Sequence, residues 1–262
     1  MFNAESYLSG IGYPGPVDRT PRALRELHRR HMERVPYDNS VWVGRGESGL
    51  IAADIDLDAV FGAAVLGGRG GNCLELSGSF HRLLGALGFE PEIYSAALWE
   101  PDGRFSDAEA HLLLGVRLLG ELWLVDVGFA GPGFIEPLRV TGGVQEQHGC
   151  RYRVTGDGDR LVVERKARDG DWHALYRLTP RPRAFADWND GPAGMGRRAA
   201  TGELVAAATV MRARATGRGQ SVLIGRILTT VDDGVQQTRV LVDPAEFQAA
   251  TDRILGVPAG DH

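Results

Sequence analysis

The 262 residues are 43% hydrophobic and 24% charged, enough apolar mass for a substantial core over two or three lobes, which excludes a disordered chain. A net charge of -5 with no dense Lys/Arg stripe excludes a nucleic-acid backbone as the main partner. No apolar run approaches the roughly 20 residues that cross a bilayer, the amino terminus lacks a secretion signal and two cysteines are too few for a disulfide framework; a cytoplasmic protein with no membrane partner is expected.

Residues 1 to about 90 read as mostly helical. Thr20-Pro21 opens an amphipathic segment in which Leu24, Leu27 and Met32 alternate with Arg25, Arg29 and Arg30, the arginines on a solvated face. His28 and His31 stand one turn apart there. A shared metal would need further ligands that no motif supplies, so they are assigned to packing. Asp56-Leu57-Asp58 caps a second helix. Gly67-Gly68-Arg69-Gly70-Gly71 has the look of a phosphate loop but lacks its Gly-Lys-Ser/Thr ending. It reads instead as the turn into a third helix, where Leu76, Phe80, Leu83, Leu84 and Leu87 recur at helical spacing before a Gly88 stop.

From about 91 to 185 short apolar runs alternate with turns: 93–99, 111–116, 122–127, 152–154, 161–164 and 172–178. Such runs predict a small antiparallel β-lobe. After Pro180 to Arg183 comes an Arg/Ala/Gly-rich stretch, 194–219, that reads as a loop. The apolar run 223–228, then 238–242 and a helix from Asp243-Pro244 through Leu255 complete a mixed third lobe.

The chemistry concentrates on three residues. Cys73 follows two glycines at the head of the third predicted helix, where unpaired backbone N–H groups and the dipole favour a thiolate. Gly70 and Gly71 allow a tight entry turn through which an acyl group can approach. A thiolate near neutral pH needs an imidazole, and the imidazole a group that fixes its tautomer. His111 and Asp126 fit these roles, at the start and end of two predicted strands joined by a connection of hairpin length. A zinc site on Cys73, His111 and Asp126 would have three dispersed ligands, so no metal is expected. Cys150 has no helix-start context and reads as a bystander.

Arg69-Gly-Gly-Asn72-Cys73-Leu-Glu75, His111 and Val125-Asp126-Val127-Gly128-Phe129 together resemble the arylamine N-acetyltransferases, whose pattern is Arg-Gly-Gly-x-Cys-x-Glu, a strand His and Val-Asp-Val-Gly-Phe. Tyr7 to Gly12 and Pro36-Tyr37-Asp38-Asn39 extend the resemblance over the first half of the chain. It implies an α+β protein: a helical domain, 1–90, with the nucleophile; a β-barrel domain, 91–185, with His and Asp; and an α/β lid, 186–262. It also implies ping-pong acyl transfer from a thioester through Cys73, with no permanently bound cofactor: acetyl-CoA donates and a small aromatic amine accepts. Gly128 and Phe129 would line the acyl pocket, with Asn72, Tyr37 and Ala110 as further substrate contacts, and Arg69 would pair with Asp38 behind the nucleophile.

Two features depart from the pattern. Asn72 stands where an aromatic residue is frequent, and Gly191, Gly194, Gly196, Arg197 and Arg198 replace a Ser/Pro/Phe-containing segment that touches acetyl-CoA in many members. The second departure points to a branch of the family, the amide synthases of ansamycin-type biosynthesis. There the donor is a carrier-protein phosphopantetheine thioester, and the substrate's own aryl amine closes a macrolactam. An acyl carrier protein is the partner this alternative implies. A cysteine hydrolase passing the acyl group to water and a binding module that has kept only the fold are the other classes to weigh.

Overall fold

The computed structural model describes residues 1–43, 55–106, 111–156, 159–188 and 208–257. Thr20 Oγ1 accepts the Ala23 N–H and Pro21 occupies the first turn, so helix α2 (Pro21–Arg34) begins where the sequence places it, after a short α1 (Ala4–Gly10). Strand β1 (Tyr37–Asp38) follows, then α3 (Leu57–Val60), capped by Asp56 and continued as a π-helical turn, Phe61–Leu66. Helix α4 (Cys73–Ala86) carries the predicted apolar stripe: Leu74, Leu76, Phe80, Leu83 and Leu84 are fully buried, each worth about 1.5–3 kcal/mol against exposure. Gly88 ends it at a φ of 80°, a conformation open to glycine without strain.

Eight strands then form one antiparallel sheet: β2 (Pro91–Leu98), β3 (His111–Leu118), β4 (Glu121–Val125), β5 (Leu138–Arg139), β6 (Gln145–Gln147), β7 (Cys150–Thr155), β8 (Leu161–Lys166) and β9 (Trp172–Leu178). Their spatial order, β5-β4-β3-β2-β9-β8-β7-β6, curls into a nearly closed barrel. Across the remaining seam the Gln145 side chain accepts the Arg139 N–H at 2.9 Å and donates to its carbonyl at 2.8 Å, which blunts both free edges. Tyr94, Leu113, Leu124, Tyr152, Val163 and Tyr176 fill the interior, while Leu112, Leu114, Val116 and Val125 face outward onto the helices. Every position along β3 from His111 to Val116 is buried for that reason, and the usual polar alternation is lost.

The third region corrects one expectation. Residues 211–216 and 219 belong to strands joined by a two-residue turn at 217–218, and not to a loop: β10 (Met211–Thr216), β11 (Gly219–Ile224), β12 (Ile227–Asp232) and β13 (Val235–Val240) form an antiparallel meander. The run 223–228 is two strands divided at Gly225, whose φ is 55°. Alternating Arg and Ala in β10 hide the strand signal, yet Ala213 and Ala215 point inward and are buried. Small residues suit that face because α2 packs against β10. Helix α5 (Pro244–Leu255) covers the other face through Ala250 and Ile254. β1 joins this meander, Tyr37 and Asp38 pairing Ala213 and Arg212. Among the described residues no helix is long and apolar enough to cross a membrane.

Candidate active site

Asn72 Oδ1 accepts the Glu75 N–H at 3.0 Å, and Glu75 Oε2 accepts the Asn72 N–H at 2.9 Å, a complete capping box. Cys73 is therefore the first residue of α4, with its own N–H free of intrahelical bonds. Gly70 and Gly71 do make the tight entry turn, but the space they leave is filled by protein and not by an acyl group. A Cβ on Gly70, where φ is 76°, would lie 2.3 Å from the Pro36 carbonyl, and one on Gly71 would lie 2.9 Å from Glu75 Oε2. The Asp38 N–H then reaches the Gly71 carbonyl at 2.9 Å, tying β1 to the helix entry.

His111 and Asp126 meet by register. Leu114 pairs with Val125, and continuing that register sets Asp126 opposite Leu113 with His111 one pleat along on the same face. A two-residue turn, Leu119-Gly120, with φ of 55° and 81°, closes the hairpin, so the strands run longer than expected and the turn is tighter. His111 Nε2 lies 2.8 Å from Asp126 Oδ2, the two residues being 3% and 2% exposed. Burial alone pushes His111 down. The Asp126 charge and hydrogen bond and the adjoining Cys73 sulfur outweigh it and raise its pKa to about 10. With Nε2 committed to Asp126, Nδ1 is the nitrogen left for Cys73. Asp126 Oδ1 also accepts the Gly128 N–H at 3.1 Å, and the Tyr176 hydroxyl faces this carboxylate without a hydrogen bond of normal geometry; burial first, then the Asp126 charge, raise its pKa well above the usual range.

The expected pocket residues are placed as follows. A Cβ on Gly128 would stand 2.8 Å from Cys73 Cα. The Phe129 ring lies edge-on to His111, centroids 5.6 Å apart, and to Tyr176 at 5.8 Å. Tyr37 is buried; its desolvation, then the Cys73 and Glu75 charges, push its hydroxyl well above the usual range and keep it neutral. Asn72 is 1% exposed, its Oδ1 committed to the helix and its Nδ2 without a partner. Ala110 lies outside the described residues, as does 189–207 of the lid.

The Arg69–Asp38 clamp is a correction. Arg69 instead bonds Glu75 Oε1 at 2.7 Å, and Asp38 faces Arg212 at 3.5 Å. The reason is positional: Glu75, three residues inside the helix, points back over the entry loop that carries Arg69, whereas Asp38 sits directly opposite Arg212 in the β1–β10 ladder. Glu75, 1% exposed, also accepts Trp42 Nε1 at 2.9 Å. Glu75→Ala therefore removes the acceptor of the Asn72 N–H, of Trp42 Nε1 and of Arg69 Nη2, and should cost about 3 kcal/mol or more in chemical denaturation; a loss under about 1 kcal/mol would show the hub to be replaceable.

Two histidines assigned to packing do more. His28 Nδ1 donates to the Ile135 carbonyl at 2.7 Å and its Nε2 accepts the Asp126 N–H at 3.0 Å. His31 Nδ1 meets the Tyr7 hydroxyl at 3.0 Å. Spacing flags the pair, but no local pattern names Tyr7, 24 residues before His31, or the His28 partners 98 and 107 residues on. Cys150 is 2% exposed with Arg165 3.2 Å from its sulfur, in the barrel's core cluster and not in the one that holds Cys73.

The N-acetyltransferase family model matches residues 21–259. Proansamycin X synthase of Amycolatopsis mediterranei is 32% identical over 264 residues, covering 100% of this chain and 99% of its own. The arylamine N-acetyltransferase of Mycolicibacterium smegmatis is 33% identical over 190 residues, 71% of this chain and 67% of that protein. A solved M. smegmatis arylamine N-acetyltransferase superposes with a TM-score of 0.81 at 28% identity over 99% and 95% of the two chains. The Mycobacterium marinum enzyme in complex with CoA gives 0.75 at 26% over 97% and 93%. With a helix-borne cysteine, the barrel and the lid sheet in one chain, and a family model spanning nearly all of it, the protein belongs to the N-acetyltransferase family of acyltransferases.

Proposed function

We propose that the protein transfers an acyl group from a thioester to an amine through a thioester on Cys73, with His111 and Asp126 completing the triad. The observation that carries this is the buried 2.8 Å His111–Asp126 contact; the Asp126 charge and the neighbouring Cys73 sulfur outweigh burial and raise the His111 pKa to about 10. The Cys73 thiolate adds to the donor carbonyl, and the donor's C–S bond breaks. The departing thiolate takes its proton from His111. Neutral His111 then accepts a proton from the attacking amine, the Cys73–acyl bond breaks, and the amide leaves with the thiolate–imidazolium pair restored. The Cys73 N–H at the helix start is a donor for the oxyanion of both tetrahedral intermediates.

The donor is acetyl-CoA or a related thioester and the acceptor a small aromatic amine, in the cytoplasm. The CoA complex of the M. marinum relative supports this donor class. Gly128 and Phe129 form the acyl pocket, Tyr37, Asn72 and Ala110 add substrate contacts, and the three-domain division 1–90, 91–185 and 186–262 is kept as the working description. A second reading rests on the end-to-end match with proansamycin X synthase: amide synthesis on a chain delivered by an acyl carrier protein, closed to a macrolactam by its own aryl amine.

Intact mass after mixing with acetyl-CoA or a p-nitrophenyl ester tests the common step. The expected result is one acyl adduct on wild type and none on Cys73→Ala; no adduct, or an equal one on the variant, rejects it. Chasing the adduct with an aryl amine should give the amide. Release as the free acid at the same rate would make the protein a hydrolase. Tight CoA binding favours the acetyl-CoA reading, whereas weak CoA binding with fast reaction of a long-chain acyl phosphopantetheine favours the carrier-bound donor.

A further inference from the structure

The loop from Asp126 to Ile135 carries Gly128 and Phe129 past Cys73 and His111. One imidazole grips both of its ends. His28, on α2 in the helical lobe, accepts the Asp126 N–H on Nε2 and donates to the Ile135 carbonyl from Nδ1. Both ring nitrogens are thereby used and the tautomer is fixed. Phe134 stacks on the ring at a centroid distance of 5.8 Å and Phe80 meets it edge-on at 6.3 Å. Other loop groups are held from elsewhere: Gly133 O accepts Tyr152 and Gln220 at 2.8 Å each, and Gln147 Oε1 accepts the Ile135 and Glu136 N–H groups at 3.1 and 3.0 Å. These bonds fix the far end of the loop. Among the described residues His28 is the side chain that ties that end back to Asp126.

We infer that His28 is a positioning residue that closes the Asp126–Ile135 loop, so that it sets the Asp126 carboxylate behind His111 and holds Phe129 close enough to the sulfur to favour short acyl groups. Asp126 follows the last residue of β4, and its N–H is bonded by His28 and not by a neighbouring strand, so without His28 it is a buried orphan. Burial depresses His28 to about 4, so at neutral pH the acceptor lone pair is present. The inference rests on Cys73 being acylated.

The experiment compares p-nitrophenyl acetate with p-nitrophenyl hexanoate, following acylation of Cys73 by intact mass. His28→Phe keeps an aromatic ring, somewhat larger than the imidazole, and removes both bonds. It should slow acetylation on the order of tenfold or more and slow hexanoylation less, so the hexanoyl-to-acetyl rate ratio rises. His28→Gln, which can again accept from the Asp126 N–H, should recover much of the rate. In an Asp126→Asn background His28→Phe should add little, because both act through one carboxylate. If His28→Phe does not fold, His28→Asn, which leaves a donor for Ile135 and withdraws the acceptor from Asp126, is expected to shift the ratio in the same direction. A folded variant with unchanged rate and ratio, or losses equal for both esters and fully additive with Asp126→Asn, overturns the role of His28. A wild type that takes up no acyl group overturns the Cys73 reading and this inference with it.

Discussion

Asp126→Asn should fold normally and lose about 10³–10⁴-fold in the rate of Cys73 acylation. The carboxamide can still accept the Gly128 N–H through Oδ1, so the loop keeps its hydrogen bond. Its Nδ2 then faces His111 Nε2, where Oδ2 stood at 2.8 Å. A donor there forces Nε2 to accept, and the single proton of neutral His111 moves to Nδ1, the nitrogen facing the sulfur. That tautomer cannot take the thiol proton. The imidazolium also loses the charge that does most to offset its burial. Stopped-flow acylation with an activated ester, with circular dichroism as the control for folding, measures this. A variant within a few fold of wild type, well short of the loss expected, would remove Asp126 from the mechanism.

Stability should fall steeply on the acid side of neutrality. His28 and His31 are fully buried, and burial lowers them to about 4 and about 3, with the His28 charge a smaller contribution for His31. Between the unfolded value near 6.5 and those folded values, the unfolded chain binds protons that the native state refuses. Stability therefore drops as pH falls, by about 1.4 kcal/mol per pH unit for each histidine once the unfolded side chains are protonated. His81, lowered by partial burial, acts in the same direction. His111 has the opposite sign: raised to about 10, it contributes below about pH 6.5 and loses that contribution as pH climbs toward 10. Maximum stability should thus lie near neutral pH. Guanidinium denaturation from pH 8 to 4.5 reads the slope, and His28→Gln should remove about one histidine's share. A flat profile over pH 4.5–6.5 would show that the native state accommodates both protons.

How much of this was legible beforehand depends on the range of the signal. Helix α4 announces itself through the Gly70-Gly71 entry, the apolar stripe and Gly88, all within one local segment, whereas the Asn72–Glu75 capping box went unread although its spacing is local. The His111 and Asp126 strands are short apolar runs bounded by turn residues, and their pairing follows from a connection too short for any partner other than the neighbouring strand. Strand β10 was hidden because its alternation pairs arginine with alanine, small enough to lie under α2 yet weak as a hydrophobic signal. The Arg69–Asp38 pair, implied by the resemblance, gave way because the helix turns Glu75 toward the arginine while Asp38 faces Arg212.

The order Cys73, His111, Asp126, each at the end of a locally recognisable element, was determined by the sequence alone, since helix caps and strand boundaries depend on side chains within a few residues. The tertiary structure alone decided that Glu75 is the hub for Arg69, Trp42 and Asn72, that Asp38 belongs to Arg212, and that His28 holds Asp126 from a helix 98 residues away. Those partners meet because three layers pack against one another, and hydrogen bonds in a buried site go to whichever polar group the packing brings within about 3 Å.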